Sequence, residues 1–266
     1  MKKLGKLYLV LVLLFLYVPI FVLIVFSFNE TKSRSVFSGF TLDWYKRLFH
    51  NRIIISSLIN TIIIASVASV VSTVLGTLAA IGINSMRKVP KAVVMNITNM
   101  PIINPEIVTG VSLMLLFVFF AARMNLEFGF VTLLIAHITF DVPYVILNVM
   151  PKFNQMDPHL YEAAQDLGCS PFKAFRKVVL PEIMPGVISG FLMSFTYSLD
   201  DFVVSYFTTG STSQTLPITI YSMTRRKVSP EINALSTLIF IAVIIVLIVK
   251  NAIENRAAKK SGAKED

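Results

Sequence analysis

Cysteine is almost missing: Cys169 is the single one in 266 residues. That excludes an intrachain disulfide and leaves no thiolate cluster to hold zinc. Charge is scarce as well, with Asp, Glu, Lys and Arg making up 15% of the chain against 55% hydrophobic residues. Such a balance is far too apolar for a water-soluble domain of this length and places the chain in a membrane. No Gly-x-x-x-x-Gly-Lys-Ser/Thr run occurs, so the chain has no phosphate loop and is not itself an ATPase. Acids are the rarer sign, 15 against 24 Lys and Arg, for a formal charge of +9. Basic cytosolic loops of a membrane protein explain that excess more simply than a nucleic-acid partner, and none is expected. No internal repeat or low-complexity tract stands out.

Long hydrophobic runs are what the chain has instead. Six of them, near residues 7–28, 54–83, 105–122, 128–150, 186–207 and 231–250, can each cross about 30 Å of hydrocarbon. The first follows Met1-Lys2-Lys3 as a signal peptide would. It is longer than a signal core and has no small-residue cleavage site, so it reads as an uncleaved span. The expectation is an all-α integral membrane protein, one transmembrane domain over 1–266 with both ends on the same side. Fifteen of the 24 Lys and Arg fall in segments that are cytosolic if the N-terminus is inside, which sets that orientation. Residues 151–185 then form a cytosolic loop, and the charged 259–266 tail reads as a frayed end.

Two external segments carry patterns. In Thr41–Phe49, Leu42, Tyr45, Leu48 and Phe49 share one helical face with Trp44 beside it, which suits a helix lying in the outer interface against lipid. Thr208–Ser229 carries Leu216-Pro217-Ile218-Thr219-Ile220-Tyr221, either a gating or docking segment or a packed loop.

The cytosolic loop is the one long polar insertion between spans. Asp157 is a good N-cap, Pro158 suits the first helical position, and Gly168 supplies a left-handed residue to end the helix. Ser170-Pro171 repeats the start signal and Pro181 is a stop. A short helix, a glycine turn and a second short helix are predicted. Glu162-Ala163-Ala164, three residues, Gly168, nine residues, then Val178-Val179-Leu180-Pro181 resembles the EAA loop of binding-protein-dependent ABC importer permeases. Val178 departs from the pattern, which usually has isoleucine there, and leaves the apolar contact plausible. The resemblance implies a six-span type I ABC importer permease fold of the MetI-like kind. It also implies that Glu162, Ala163, Ala164, Gly168, Leu180 and Pro181 belong to a coupling segment docking in a groove of a separate ATPase subunit.

Polar residues inside spans are expensive, at about 2.5–3.5 kcal/mol for a central Asp, Lys or Arg on insertion scales, and so default to functional candidates. The third apolar region is interrupted at Pro101 and at Asn104-Pro105-Glu106. A break followed by a helix start exposes backbone near a pathway, while Glu106 there also complements the helix dipole; both readings stand. In the fourth span His137, Asp141, Tyr144 and Asn148 recur at spacings of four, three and four beside Pro143. They form one polar stripe, with His137 and Asp141 able to satisfy each other. No Glu-flanked His pair accompanies them, so no metal is expected. The fifth span aligns Gly190, Ser194, Ser198, Asp201 and Ser205 as a second seam of small residues. Asp200 and Asp201 lie about 21 Å along that helix from Gly186, in the outer half. Neighbours on a helix turn about 100° apart, so one acid would line a path and the other brace a helix.

The runs Ser194–Ser205, His137–Phe140, Leu216–Met223 and Val228–Leu235 are similar to the spermidine/putrescine permeases of the PotC type, over nearly the whole chain. That resemblance implies a bacterial inner-membrane, multi-pass permease subunit with cytosolic termini, forming half of a polyamine pathway. It implies as partners a sister permease, a dimer of ATPase subunits, an extracytoplasmic polyamine-binding protein and membrane lipid. ATP and Mg²⁺ would be bound by the ATPase, leaving no cofactor in this chain. The candidate pathway residues are Glu106, His137, Asp141, Tyr144, Asp200 and Asp201. Other cargo in the same architecture, such as ferric ion or thiamine, is one alternative. An ion-coupled carrier using Asp141 and Asp200 is another, and the 162–181 loop argues against it because such a carrier needs no ATPase socket.

Overall fold

A computed structural model of the chain describes residues 2–31, 36–124, 127–157, 159–211, 213–226, 230–241 and 244–245. Pro158, the Lys32–Arg34 stretch, the 259–266 tail and much of the expected 231–250 span lie outside them. Helices account for nearly all of what is described: α1 Lys2–Ser27, α2 Asp43–His50, α3 Arg52–Asn84, α4 Lys88–Ile103, α5 Glu106–Met124 and α6 Phe130–Gln155 come first. Then follow α7 Leu160–Asp166, α8 Pro171–Ala174, α9 Leu180–Asp200, α10 Val203–Thr208 and α11 Leu216–Arg226, with α12 Pro230–Ile241 last. Among the described residues, five stretches are long and apolar enough to cross a membrane: Tyr8–Ser27, Arg52–Asn84, Glu106–Arg123, Phe130–Gln155 and Pro171–Asp200. The chain is an all-α, multi-pass membrane protein.

Two compact units are present, Ser56–Thr219 and the pair of segments Met1–Ile55 and Ile220–Asp266. In the second of these, α1 is followed by a turn in which Asn29 bridges Phe40. The indole Nε1 of Trp44 donates to the Asn29 carbonyl at 2.8 Å, and the Tyr45 hydroxyl meets Ser27 Oγ at 2.7 Å. Trp44 and Leu48 are buried while Leu42 and Phe49 are exposed. The aromatic helix α2 is therefore packed through Trp44 onto the turn after α1, while Leu42 and Phe49 stay exposed. The indole N–H needs a partner and finds it in the chain.

In the unit Ser56–Thr219 the seam between α6 and α9 is the centre. Glycine makes the approach possible. A Cβ at Gly186 would fall 2.7 Å from the Asn148 carbonyl, and one at Gly76 of α3 would fall 2.6 Å from Val145 Cβ. A Cβ at Gly190 would lie 3.2 Å from Val145 Cα, tighter than an ordinary contact. Small residues of this kind let membrane helices gain van der Waals contact that lipid cannot replace. Ser72 and Ser194 share a hydrogen bond of 2.8 Å between α3 and α9, a bond worth roughly 0.6 kcal/mol in such surroundings. Toward the end of α6, Val145, Ile146, Val149, Met150 and Phe153 pack with Ala80, Ile83, Val179 and Ile183.

The 151–185 loop differs from expectation at its second helix. Pro181 does not stop a helix. Residues Phe175–Val179 form a π turn in which the Leu180 N–H bonds to the Phe175 carbonyl, and Pro171–Asp200 runs as one continuous stretch. Proline in a helix interior lacks a donor and clashes with the carbonyl four residues back. The wider π register just before Pro181 shifts the hydrogen-bond partners and lets the helix pass through. The fifth span consequently begins well before residue 186.

Leu216 to Thr219 is packed rather than loose. Leu216 N donates to Thr61 Oγ1 at 2.8 Å, and Ser57 and Thr219 share a bond of 2.6 Å. Leu216 and Ile218 are buried.

Candidate translocation site and coupling loop

The fifth span also ends earlier than its hydrophobicity suggests. α9 stops at Asp200, Asp201 takes an extended ψ of 122°, and α10 starts at Val203. Asp201 explains the break. Its carboxylate accepts from Val204 N at 3.2 Å and from Ser205 N at 2.7 Å, which satisfies orphan donors at the start of α10. Asp200 and Asp201 are thus not successive positions of one helix. The 100° argument for separating them does not hold, and the two acids line the same space. α10 then seats on α5 because Gly110 leaves room: a Cβ there would be 2.9 Å from Phe207 Cδ2. Leu113, Phe117, Ala136 and Val204 are buried together beside it.

That seating brings the break over the start of α5 and encloses a cavity of about 250 Å³. Glu106, Asp200 and Asp201 line it together with Tyr144, Tyr197, Phe140 and Phe202. Tyr144 and Tyr197 are stacked, with ring centroids 4.4 Å apart and 29° between planes. All three surround one cavity: the 16-residue α4, about 24 Å long, precedes the break at Asn104-Pro105 and carries the chain to the start of α5. Chemically the cavity offers carboxylates for charge-assisted hydrogen bonds and ring faces for cation–π contact. It suits a cation with more than one charged nitrogen.

His137 and Asp141 are fully buried and do not line the cavity. They do not satisfy each other. His137 Nδ1 is 2.5 Å from Ser198 Oγ, and its Nε2 is 2.9 Å from Ser205 Oγ and 3.7 Å from Asp201 Oδ2. Neither oxygen of Asp141 has a hydrogen-bond partner among the described residues. Asn148 accepts from Ser189 Oγ at 3.0 Å. The polar stripe of α6 is therefore mostly a helix–helix seam, and Tyr144 alone of the four opens into the cavity. The sequence reading passed over Tyr197, Phe140 and Phe202; the spacing Tyr197, Asp200 placed a ring one turn from an acid and was the signal available.

At the other end, α7 and α8 carry the segment that resembles the EAA loop. Asp157 sits before the helix: its Oδ1 accepts from His159 N at 2.9 Å, and His159 takes the N-cap position expected of Asp157. The helix ends at Gly168, whose φ is +84°. Gly168 N bonds to the Gln165 carbonyl at 2.8 Å and Cys169 N to the Ala164 carbonyl at 3.1 Å, the paired bonds of a Schellman motif. Glu162, Ala163 and Pro181 are exposed, Ala164 is buried and Leu180 partly so. Leu167 and Phe172 stand 87% and 72% exposed, apolar side chains left uncovered by the described residues.

Residues 72–259 match the family of binding-protein-dependent transport system inner membrane components. The chain belongs to that family. This family member is 37% identical to the spermidine/putrescine transport system permease protein PotC of Haemophilus influenzae, over 91% of this chain and 93% of that one. It is 36% identical to PotC of Escherichia coli, over 92% and 91%. Its identity to the putrescine transport system permease protein PotI of Escherichia coli is 38%, over 92% and 89%. Among solved structures, a bacterial ABC transporter involved in the import of alginate superposes with a TM-score of 0.70 at 15% identity, covering 96% of this chain and 95% of that chain. An amino acid ABC transporter solved with histidines gives 0.56 at 18%, covering 81% and 99%. At those identities the likeness establishes the fold, that of type I ABC importer permeases. The family member is a permease subunit and not an enzyme.

Proposed function

We propose that the chain forms half of the pathway of an ATP-driven importer for polyamines such as spermidine and putrescine. The observation that carries this reading is the cavity in which Glu106, Asp200 and Asp201 stand among four aromatic rings. A polyamine leaving water needs new partners for each ammonium group, and carboxylates with ring faces supply them at close quarters. Relatives at 36–38% identity named for spermidine and putrescine transport support the same cargo. A sister permease supplies the other half, and an extracytoplasmic binding protein delivers the substrate. Glu162, Ala163, Ala164, Gly168, Leu180 and Pro181 form the segment that docks on a separate ATPase dimer, which binds ATP and Mg²⁺. The whole chain, 1–266, acts as one transmembrane domain of the bacterial inner membrane with both termini in the cytosol.

Reconstituted with its sister permease, the ATPase and the receptor, the complex is expected to hydrolyse ATP faster with spermidine-loaded receptor than with empty receptor. Stimulation by another solute's receptor and none by polyamine would reassign the cargo. Orientation has its own test. Phe37, 49% exposed, changed to cysteine in a Cys169→Ser background is expected to react with an impermeant thiol reagent in intact cells. Native Cys169 is expected to react only after permeabilisation, and its labelling in sealed cells would reverse the topology.

A further inference from the structure

His137 has no place in the cavity wall, yet it touches both sides of the helix break that shapes the cavity. Its ring is fully buried on α6. Nδ1 holds Ser198 at the end of α9 and Nε2 holds Ser205 in the first turn of α10. Between those two serines lie Asp200 and Asp201. The same Ser205 gives its backbone N–H to Asp201 Oδ2, which is 3.7 Å from Nε2. A chain break inside an apolar stretch leaves backbone donors and acceptors that must be satisfied; the Asp201 carboxylate answers two donors of α10, and His137 ties a side chain of α9 to one of α10 through a single ring. Three elements meet at one imidazole, and each polar contact there is buried, where an unpaired group is costly.

We infer that His137 is a positioning residue: it fixes α10 against α9, and so sets where the Asp200 and Asp201 carboxylates meet a substrate cation. The two ring nitrogens do unequal work. The bond to Ser198 ties α6 to a helix already seated through Gly186 and Gly190. The bond to Ser205 holds the short α10, whose six residues include the backbone donors, Val204 N and Ser205 N, from which the Asp201 carboxylate accepts. The acids rather than the histidine touch the cation. The substrate half of this inference rests on the polyamine reading above; the structural half does not.

Two measurements on the full complex keep those halves apart. Amide exchange of the 201–208 segment reads the hold on α10 with no substrate present. His137→Ala and Ser205→Ala are each expected to speed it at Val204 and Ser205 by about tenfold, as for one lost buried hydrogen bond. His137→Gln, whose amide reaches toward the Nε2 position, is expected to restore slow exchange. His137→Asn, which reaches only the Nδ1 position, is expected to leave exchange fast. In uptake, the variants with fast exchange are expected to raise the half-saturating concentration of receptor-delivered spermidine about tenfold, with the maximal rate little changed. A residue that merely fills the core would lower the amount of assembled complex and leave half-saturation alone. Equal behaviour of the Gln and Asn variants, or unchanged exchange in both Ala variants, overturns the inference. If His137→Ala does not assemble, Ser205→Ala decides. If the wild-type complex takes up no polyamine, the cargo reading fails and the exchange data still decide the role of His137.

Discussion

Gly168→Val is expected to reach the membrane in normal amount and to lose ATP-coupled uptake. The position has φ +84°, a conformation that a β-branched residue rarely adopts. A Cβ there would meet nothing within 4 Å, so the effect comes from the backbone and not from a clash. Strain of this kind is of order 1–3 kcal/mol. The Schellman bonds from Gly168 and Cys169 would open to relieve it, turning α7 away from α8. The apolar surface around Leu167 and Phe172 would then be split. A graded series separates conformation from contact: Asn, which tolerates the left-handed region, should retain most activity, Ala should retain part, and Val should fall roughly 10- to 100-fold. Uptake is measured beside co-purification of the ATPase. Normal uptake by well-expressed Gly168→Val would sink the assignment of this loop to coupling.

The loop can act at a distance because of what its far side touches. Tyr161 and Phe175 pack against the cluster that includes Val149 and Phe153 of α6 and Ile83 of α3. From Pro171 the helix then runs unbroken through 30 residues to Asp200, about 45 Å at the rise of an α-helix. If the loop docks on an ATPase as proposed, a displacement there would reach the acids through one rod rather than through a relay of loops. The π turn at Phe175–Val179 lies between the exposed segment and the buried seam, where a change of register is easiest.

What the sequence revealed and what it hid divide along physical lines. The glycine turn was legible because positive φ has one common solution. The α6 and α9 seams were legible because small and polar residues recur at helical spacing in apolar surroundings. Continuity through Pro181 was not, since a proline is ordinarily a stop and a π turn has no composition of its own. The break after Asp200 was hidden by the run Leu199 to Phe207, which is apolar enough to read as more span. Asp201 followed three and four residues later by Val204 and Ser205 was the available sign of an acid that caps a helix start as well as lining the cavity. That Glu106 shares a cavity with the two aspartates was hidden because α4 is not legible as a helix in its own right. Its Pro90 and Pro101 and its mixed composition disguise 16 residues of climb. Contacts of Trp44 with Asn29 and of Thr61 with Leu216 join segments 15 and 155 residues apart, which no local pattern encodes.

The two aspartates at the break should part company when each is neutralised. Asp200 is exposed at the end of α9 and lines the cavity. Asp201 is only partly exposed and gives its carboxylate to two backbone donors of α10. Asp200→Asn removes a charge that a substrate ammonium would otherwise meet as a charge-assisted bond worth about 1.5–3 kcal/mol. Polyamine uptake is expected to fall roughly 10- to 100-fold, with assembly and receptor docking intact. Asp201→Asn keeps one carbonyl oxygen to accept from Val204 or Ser205 but not both. It is expected to lower uptake and the yield of assembled complex together, since it weakens the cap as well as the charge. Substrate concentration distinguishes them further: raising delivered spermidine should recover part of the Asp200→Asn rate and little of what is lost as unassembled Asp201→Asn. The double variant should be the weakest of the three in uptake per assembled complex. Full polyamine uptake by Asp200→Asn/Asp201→Asn would remove both charges from the pathway and leave Glu106 with the aromatic rings as the cation's partners in this chain.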